Sequence, residues 1–249
     1  MSSPRRNGWL TRQQPAEQTK RFGLLRTKYL QKYLSGMKIG GLYFVLLAGG
    51  LWHLLGIFQT TMRILAGPVI VLIGLWLAGE YYRTCSPRRR VAFVLWSLGV
   101  VGISFVIEMI GAQTGSIFGP YQYGQVLQPV INGVPVAIGF AWLGMLLASD
   151  GLVEWVLRNL QQSWLLRAFL IALVMVVFDI LLEQVAVTLG YWHWFDTGIP
   201  LWNYVAWFVI SLAFAVSGLR MGALPIRAPG LAKHMYFAQT LYFGLVLLR

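Results

Sequence analysis

From position 40 onward the chain is a succession of apolar runs of about twenty residues, the length needed to cross a hydrocarbon core of roughly 30 Å as a helix. Seven runs can be read: 40–59, 64–82, 91–110, 134–150, 165–189, 203–219 and 235–248. Their continuity selects helices over a barrel, whose strands would alternate in short segments. At 57% hydrophobic and 11% charged residues, the composition excludes an ordinary soluble domain. The expectation is an all-α polytopic membrane helix bundle of about seven transmembrane helices over 39–249, preceded by a basic segment over 1–38.

The net charge of +12 is distributed by topology. Basic residues crowd the segment before the first run, the second-to-third connection (Arg83, Arg88, Arg89, Arg90), the fourth-to-fifth (Arg158, Arg167) and the sixth-to-seventh (Arg220, Arg227, Lys233). Only Arg63 and Arg249 fall on the other side. Such asymmetry puts the N-terminus in the cytoplasm and the C-terminus outside, and it favours anionic lipid as a partner over nucleic acid. Residues 1–20 are polar and expected to be disordered. Phe22, Leu25, Tyr29 and Tyr33 then recur at helical spacing among Arg21, Lys28 and Lys32, the pattern of an amphipathic interfacial helix. The late start of the first run argues against a secretory signal.

Acidic residues number only eight, and two of them, Asp179 and Glu183, stand one helical turn apart inside the fifth run. A bare charge at that depth costs a few kcal/mol or more, so both are functional candidates and are expected to be neutral. Helix rise puts Asp179 roughly 16 Å, and Glu183 about 10 Å, below the run's outer end; Glu108 lies about 5 Å below the outer end of the third run. The bland alternative is that these acids merely hydrogen-bond neighbouring helices. Above them, two outer loops without Lys or Arg, 111–135 and 190–203, are rich in glycine, proline and aromatics. Phe118, Tyr121 and Tyr123 offer ring faces in the first; Trp192, Trp194 and Trp202 in the second fit either a site or an interfacial aromatic belt.

Several chemistries are excluded. His53, His193 and His234 are too scattered for a membrane di-iron site, and Cys85 alone makes neither a disulfide nor a thiolate cluster. His193, between Trp192 and Trp194 and near Asp196, is the one histidine that merits mutation. No lysine stands in the last run to carry retinal; Lys233 is at its edge. There is no nucleotide loop and no G-x-S-x-G elbow. No metal is expected. An acid walled by aromatics in lipid suits protonation of an unactivated alkene, with ring faces steadying the cation. Water capture would give a hydratase, and proton loss an isomerase or cyclase. A membrane protein that binds or transports a lipid-phase molecule without chemistry is the third reading, and the family resemblance below makes that molecule a pigment.

Two blocks carry a family resemblance. The first is Glu108, Gly111, Thr114, Gly115, Phe118, Gly119, Tyr121 and Tyr123, then Gly133–Pro135 and Trp142. The second is Asp179, Glu183, Gly190, Tyr191, Trp192 and Trp194, then Pro200, Asn203 and Trp207. The combined pattern resembles the carotenoid biosynthesis proteins that include acyclic carotenoid 1,2-hydratases. It departs at Gln184, where that family has Pro, at Ala206, where it has Gly, and at Gly139, where a Pro is expected. The resemblance implies cofactor-free addition of water to the terminal double bond of an acyclic carotenoid drawn from the lipid, in a prokaryotic cell membrane alongside other enzymes of the pathway. It implies Asp179 as proton donor, Glu183 tuning it or orienting water, and Glu108 closing the site. Thr114, Phe118, Tyr121, Tyr123, Tyr191, Trp192, Trp194 and Trp207 would contact substrate, with Asn203 as a polar orienting group.

Overall fold

The computed structural model describes residues 14–158, 163–195 and 198–249, with side chains from Tyr29 onward apart from Gln31. Residues 14–20 are helical, against the disorder expected for 1–20, while residues 1–13, the side chains of Phe22 and Leu25, and Asp196 beside His193 lie outside the described part. Seven helices follow in order: α1 (Gln14–Leu54), α2 (Gln59–Thr84), α3 (Arg90–Thr114), α4 (Ala137–Leu157), α5 (Trp164–Leu189), α6 (Leu201–Arg220) and α7 (Gly230–Leu247). Six of them are long and apolar enough to cross a membrane; α7, the seventh expected span, falls short of that measure and packs on α4 and α5. The protein is an all-α polytopic integral membrane bundle. The chain divides into two units, Met1–Gly41 and Leu42–Arg249, and the candidate site lies in the second.

Local chemistry corrects several expected boundaries. The first run was read to residue 59, but the helix stops at Leu54 because Gly56 and Phe58 take left-handed backbone conformations, φ 70° and 55°, which a right-handed helix cannot include. The amphipathic stretch is helical, α1 beginning at Gln14. The fourth span starts later and ends later than 134–150. Val134 and Pro135 form strand β3, paired with Val130–Ile131 (β2), and α4 runs on through Asp150 to Leu157.

Asp150 can stay helical and wholly buried because Arg167 of α5 reaches it with a 2.7 Å ion pair. The Tyr81 hydroxyl donates to the same carboxylate, and the Arg167 guanidinium also donates to the Pro225 carbonyl. This clamp ties α2, α4, α5 and the α6–α7 connection together at one end of the bundle. α4 is the central post, touching α2, α3, α5 and α7. Gly139 lets it sit against α3, for a β-carbon there would stand 2.5 Å from the Val101 carbonyl oxygen. Helix α5 is capped by the Ser163 side chain, which accepts from the Leu166 N–H, and ends at Gly190 in the left-handed conformation.

Candidate functional site

Both outer loops hold short stretches of alternating residues, Tyr-Gln-Tyr and Trp-His-Trp, and alternation is what a two-faced strand requires. They pair as an antiparallel ribbon of β1 (Tyr121–Tyr123) and β4 (Trp192–Trp194), matching Tyr121 with Trp194, Gln122 with His193 and Tyr123 with Trp192. One face carries the four rings inward and the other leaves Gln122 and His193 exposed, so His193 is turned away from the site. The ribbon joins two loops that are about seventy residues apart in the chain, over the ends of α3 and α5.

Under the ribbon the three acids converge, each buried and, among the described residues, each without a guanidinium. Glu108 of α3 is held by three donors. The hydroxyls of Tyr121 and Tyr123 donate to its Oε2 at 2.6 and 2.8 Å, and the Trp142 indole donates to Oε1 at 2.8 Å. Burial, and then the nearby Glu108 charge, push both tyrosine hydroxyls well above the ordinary phenol range, so they remain donors. Glu183 of α5 receives the Trp192 and Trp194 indoles on Oε2, both at 2.9 Å. Asn203 of α6 spans the second pair of acids, its amide donating to Asp179 Oδ2 at 2.9 Å and to Glu183 Oε1 at 3.3 Å. Asp179 Oδ1 is buried and has no hydrogen-bond partner among the described residues.

A cavity of about 260 Å³ opens beside these groups, and the carboxyls on its wall are Glu108 and Glu183. Phe118, Tyr191, Asn203 and Trp207 also line it, and Trp207 stacks on Trp142 with ring centroids 4.0 Å apart. The rest of the wall is largely aliphatic, from α1, α2, α4 and α5, while α7 adds Gln239, Tyr242 and Phe243. Asp179 does not reach the wall; it stands behind Asn203. Thr114 is also absent from it, its hydroxyl bonding Ile110 O and Ser116 at the end of α3. Among the described residues, no group of three or more His, Cys, Asp or Glu could hold a metal ion.

Trp142 is the residue that the sequence reading left out of the site. Its indole is a donor only and needs an acceptor when buried, and the stretch of α4 around it, Ala137–Ala148, has no side-chain oxygen to supply one, so the acceptor has to come from another element. The departures from the family pattern sit around the acids without touching them: Gln184 is exposed, Ala206 is buried in α6, and Gly139 makes the α3 contact described above.

The chain is 29% identical over 123 residues to the bisanhydrobacterioruberin hydratase of Haloarcula japonica, a stretch covering 48% of this chain and 41% of that protein. The chain thus aligns with less than half the length of that relative. No solved structure matches. Residues 61–247, about three quarters of the sequence, match the carotenoid biosynthesis protein family, and the chain belongs to it.

Proposed function

We propose that this protein is a carotenoid hydratase that adds water across the terminal double bond of an acyclic carotenoid, within a prokaryotic cell membrane. The observation that carries the reading is a hydrocarbon-walled cavity with two carboxyls from different helices on its surface, each fixed by aromatic donors. The hydratase activity named for the Haloarcula japonica relative supports it.

The proton sits on the Asp179–Glu183 pair, since two bare charges sharing one amide away from water would repel. Glu183 is the member on the cavity wall, and its Oε1, with a single long contact, is the less engaged oxygen. Its O–H bond breaks as the proton joins C2 of the alkene, leaving a tertiary cation at C1. Negative charge then develops on Glu183, where two indole N–H groups already point. Glu108, with both oxygens occupied by donors, acts as a fixed counter-charge to the cation, and the stacked Trp142–Trp207 faces supply further stabilisation. Water attacks C1, and its released proton returns to Glu183. The C1–O and C2–H bonds form, the π bond and one O–H bond of water break, and no cofactor is consumed. Asp179 is a positioning residue that keeps the proton on the pair, a different share of the work from the direct donation that its depth in the helix suggested.

Expression in a host that accumulates acyclic carotenoids, followed by mass analysis of the pigments, tests this. A gain of one water supports hydration. Unchanged mass with an altered absorption spectrum would replace it by isomerisation or cyclisation, and unchanged pigment would favour binding or transport.

A further inference from the structure

The cavity must be reached by a long hydrocarbon, and its walls indicate from which side. On α1, Val45, Leu46, Gly49 and Trp52 line it, a single helical face. On α2, Met62, Leu65, Ala66, Val69, Ile70 and Ile73 line it, again one face, spanning about 16 Å of helix. Val45, Trp52 and Leu65 are also 57%, 39% and 45% exposed to the exterior. Residues that belong both to the wall and to the outside mark a mouth.

Packing explains why the bundle parts between these two helices. Gly50 seats α1 on α7, where a β-carbon would fall 2.7 Å from Leu245. Gly74 seats α2 on α4, where a β-carbon would fall 2.8 Å from the Phe140 carbonyl oxygen. Each helix is drawn to a different partner, and an uncharged cleft is left between them. Those two faces carry no charged side chain, and among their lining residues only the Trp52 indole N–H can donate a hydrogen bond, so a charged or hydrated solute finds little to bind while an isoprenoid chain meets an almost wholly apolar wall.

We propose that the α1–α2 cleft is the lateral doorway through which one end of a long isoprenoid hydrocarbon slides from the lipid to the acids, its remaining length staying in the membrane. This rests on the functional reading above. One end at a time enters, because the cleft leads to a single site. Gly49 narrows the passage if enlarged: its β-carbon would stand 3.3 Å from the Met62 methyl and 3.5 Å from the Tyr242 ring.

The test uses the full chain in the pigment-producing host. The double variant Val45→Trp, Leu65→Trp places two indoles in the mouth; Gly49→Leu fills it from the α1 wall. Ile64→Trp, on a residue that is 68% exposed and off the cavity wall, is the control. Two readouts are taken: the fraction of pigment that gains water, and the pigment that co-purifies with equal amounts of detergent-extracted protein. Both plugs should lower each readout at least tenfold while the control matches the parent. If the parent retains pigment without hydrating it, the hydratase reading fails, and retention in the plugs still decides the doorway. Plugged variants that convert or retain pigment like the parent overturn the doorway alone. A parent that neither converts nor retains pigment overturns both.

Discussion

Replacing Trp194 by Phe should slow hydration about 10- to 100-fold while leaving the folded protein intact. The substitution keeps a ring beside Tyr121, whose centroid lies 5.2 Å away, and removes one N–H from Glu183 Oε2. That bond is 2.9 Å long and serves a carboxylate only after the proton has left. A hydrogen bond to a charged group contributes roughly 1.5–3 kcal/mol, and each ~1.4 kcal/mol is a factor of ten in rate. Trp192→Phe should behave alike, for its indole is equidistant from the same oxygen. The double variant should lose less than the product of the two, because both donors serve one atom. Pigment conversion is followed over time at matched protein levels, with His193→Phe, on the exposed face of the ribbon, as the unaffected control. Rates within twofold of the parent for both Trp variants would show that Glu183 does not acquire charge in the slow step, and the assigned role would fall.

Glu183→Gln should abolish water addition, and Asp179→Asn should reduce it while leaving pigment retention unchanged, as read by mass analysis of cells and of purified protein. Arg167→Met leaves Asp150 buried with only Tyr81, and should destabilise by about 3–5 kcal/mol; adding Asp150→Leu should recover most of that, since Tyr81 keeps the Leu147 carbonyl. Thermal unfolding in detergent checks both, and equal melting of the single and double variants would refute the clamp. Gly139→Val should cut the yield of extractable protein severely, because its β-carbon meets backbone and not a movable side chain; normal yield would show that α3 and α4 are not held at that contact. Trp142→Phe removes one of three donors from Glu108 and should lower conversion roughly tenfold without loss of folded protein, measured against its yield.

The chain's apolar runs and scarce acids determined the all-helical bundle, the positions of Asp179, Glu183 and Glu108, and the two aromatic loops as the place to look, because a segment surrounded by lipid must satisfy its backbone internally and can hide few charges. The end of α1 at Leu54 and the start of α4 at Ala137 were not legible, since a left-handed turn and a two-residue strand leave hydropathy unchanged. Tertiary structure alone decided that β1 pairs with β4, that Trp142 belongs to Glu108, and that Glu183 faces the cavity while Asp179 stands behind Asn203. Depth along a helix follows from counting residues; which neighbour a side chain meets depends on how helices rotate and pack, and that is a property of the assembled bundle.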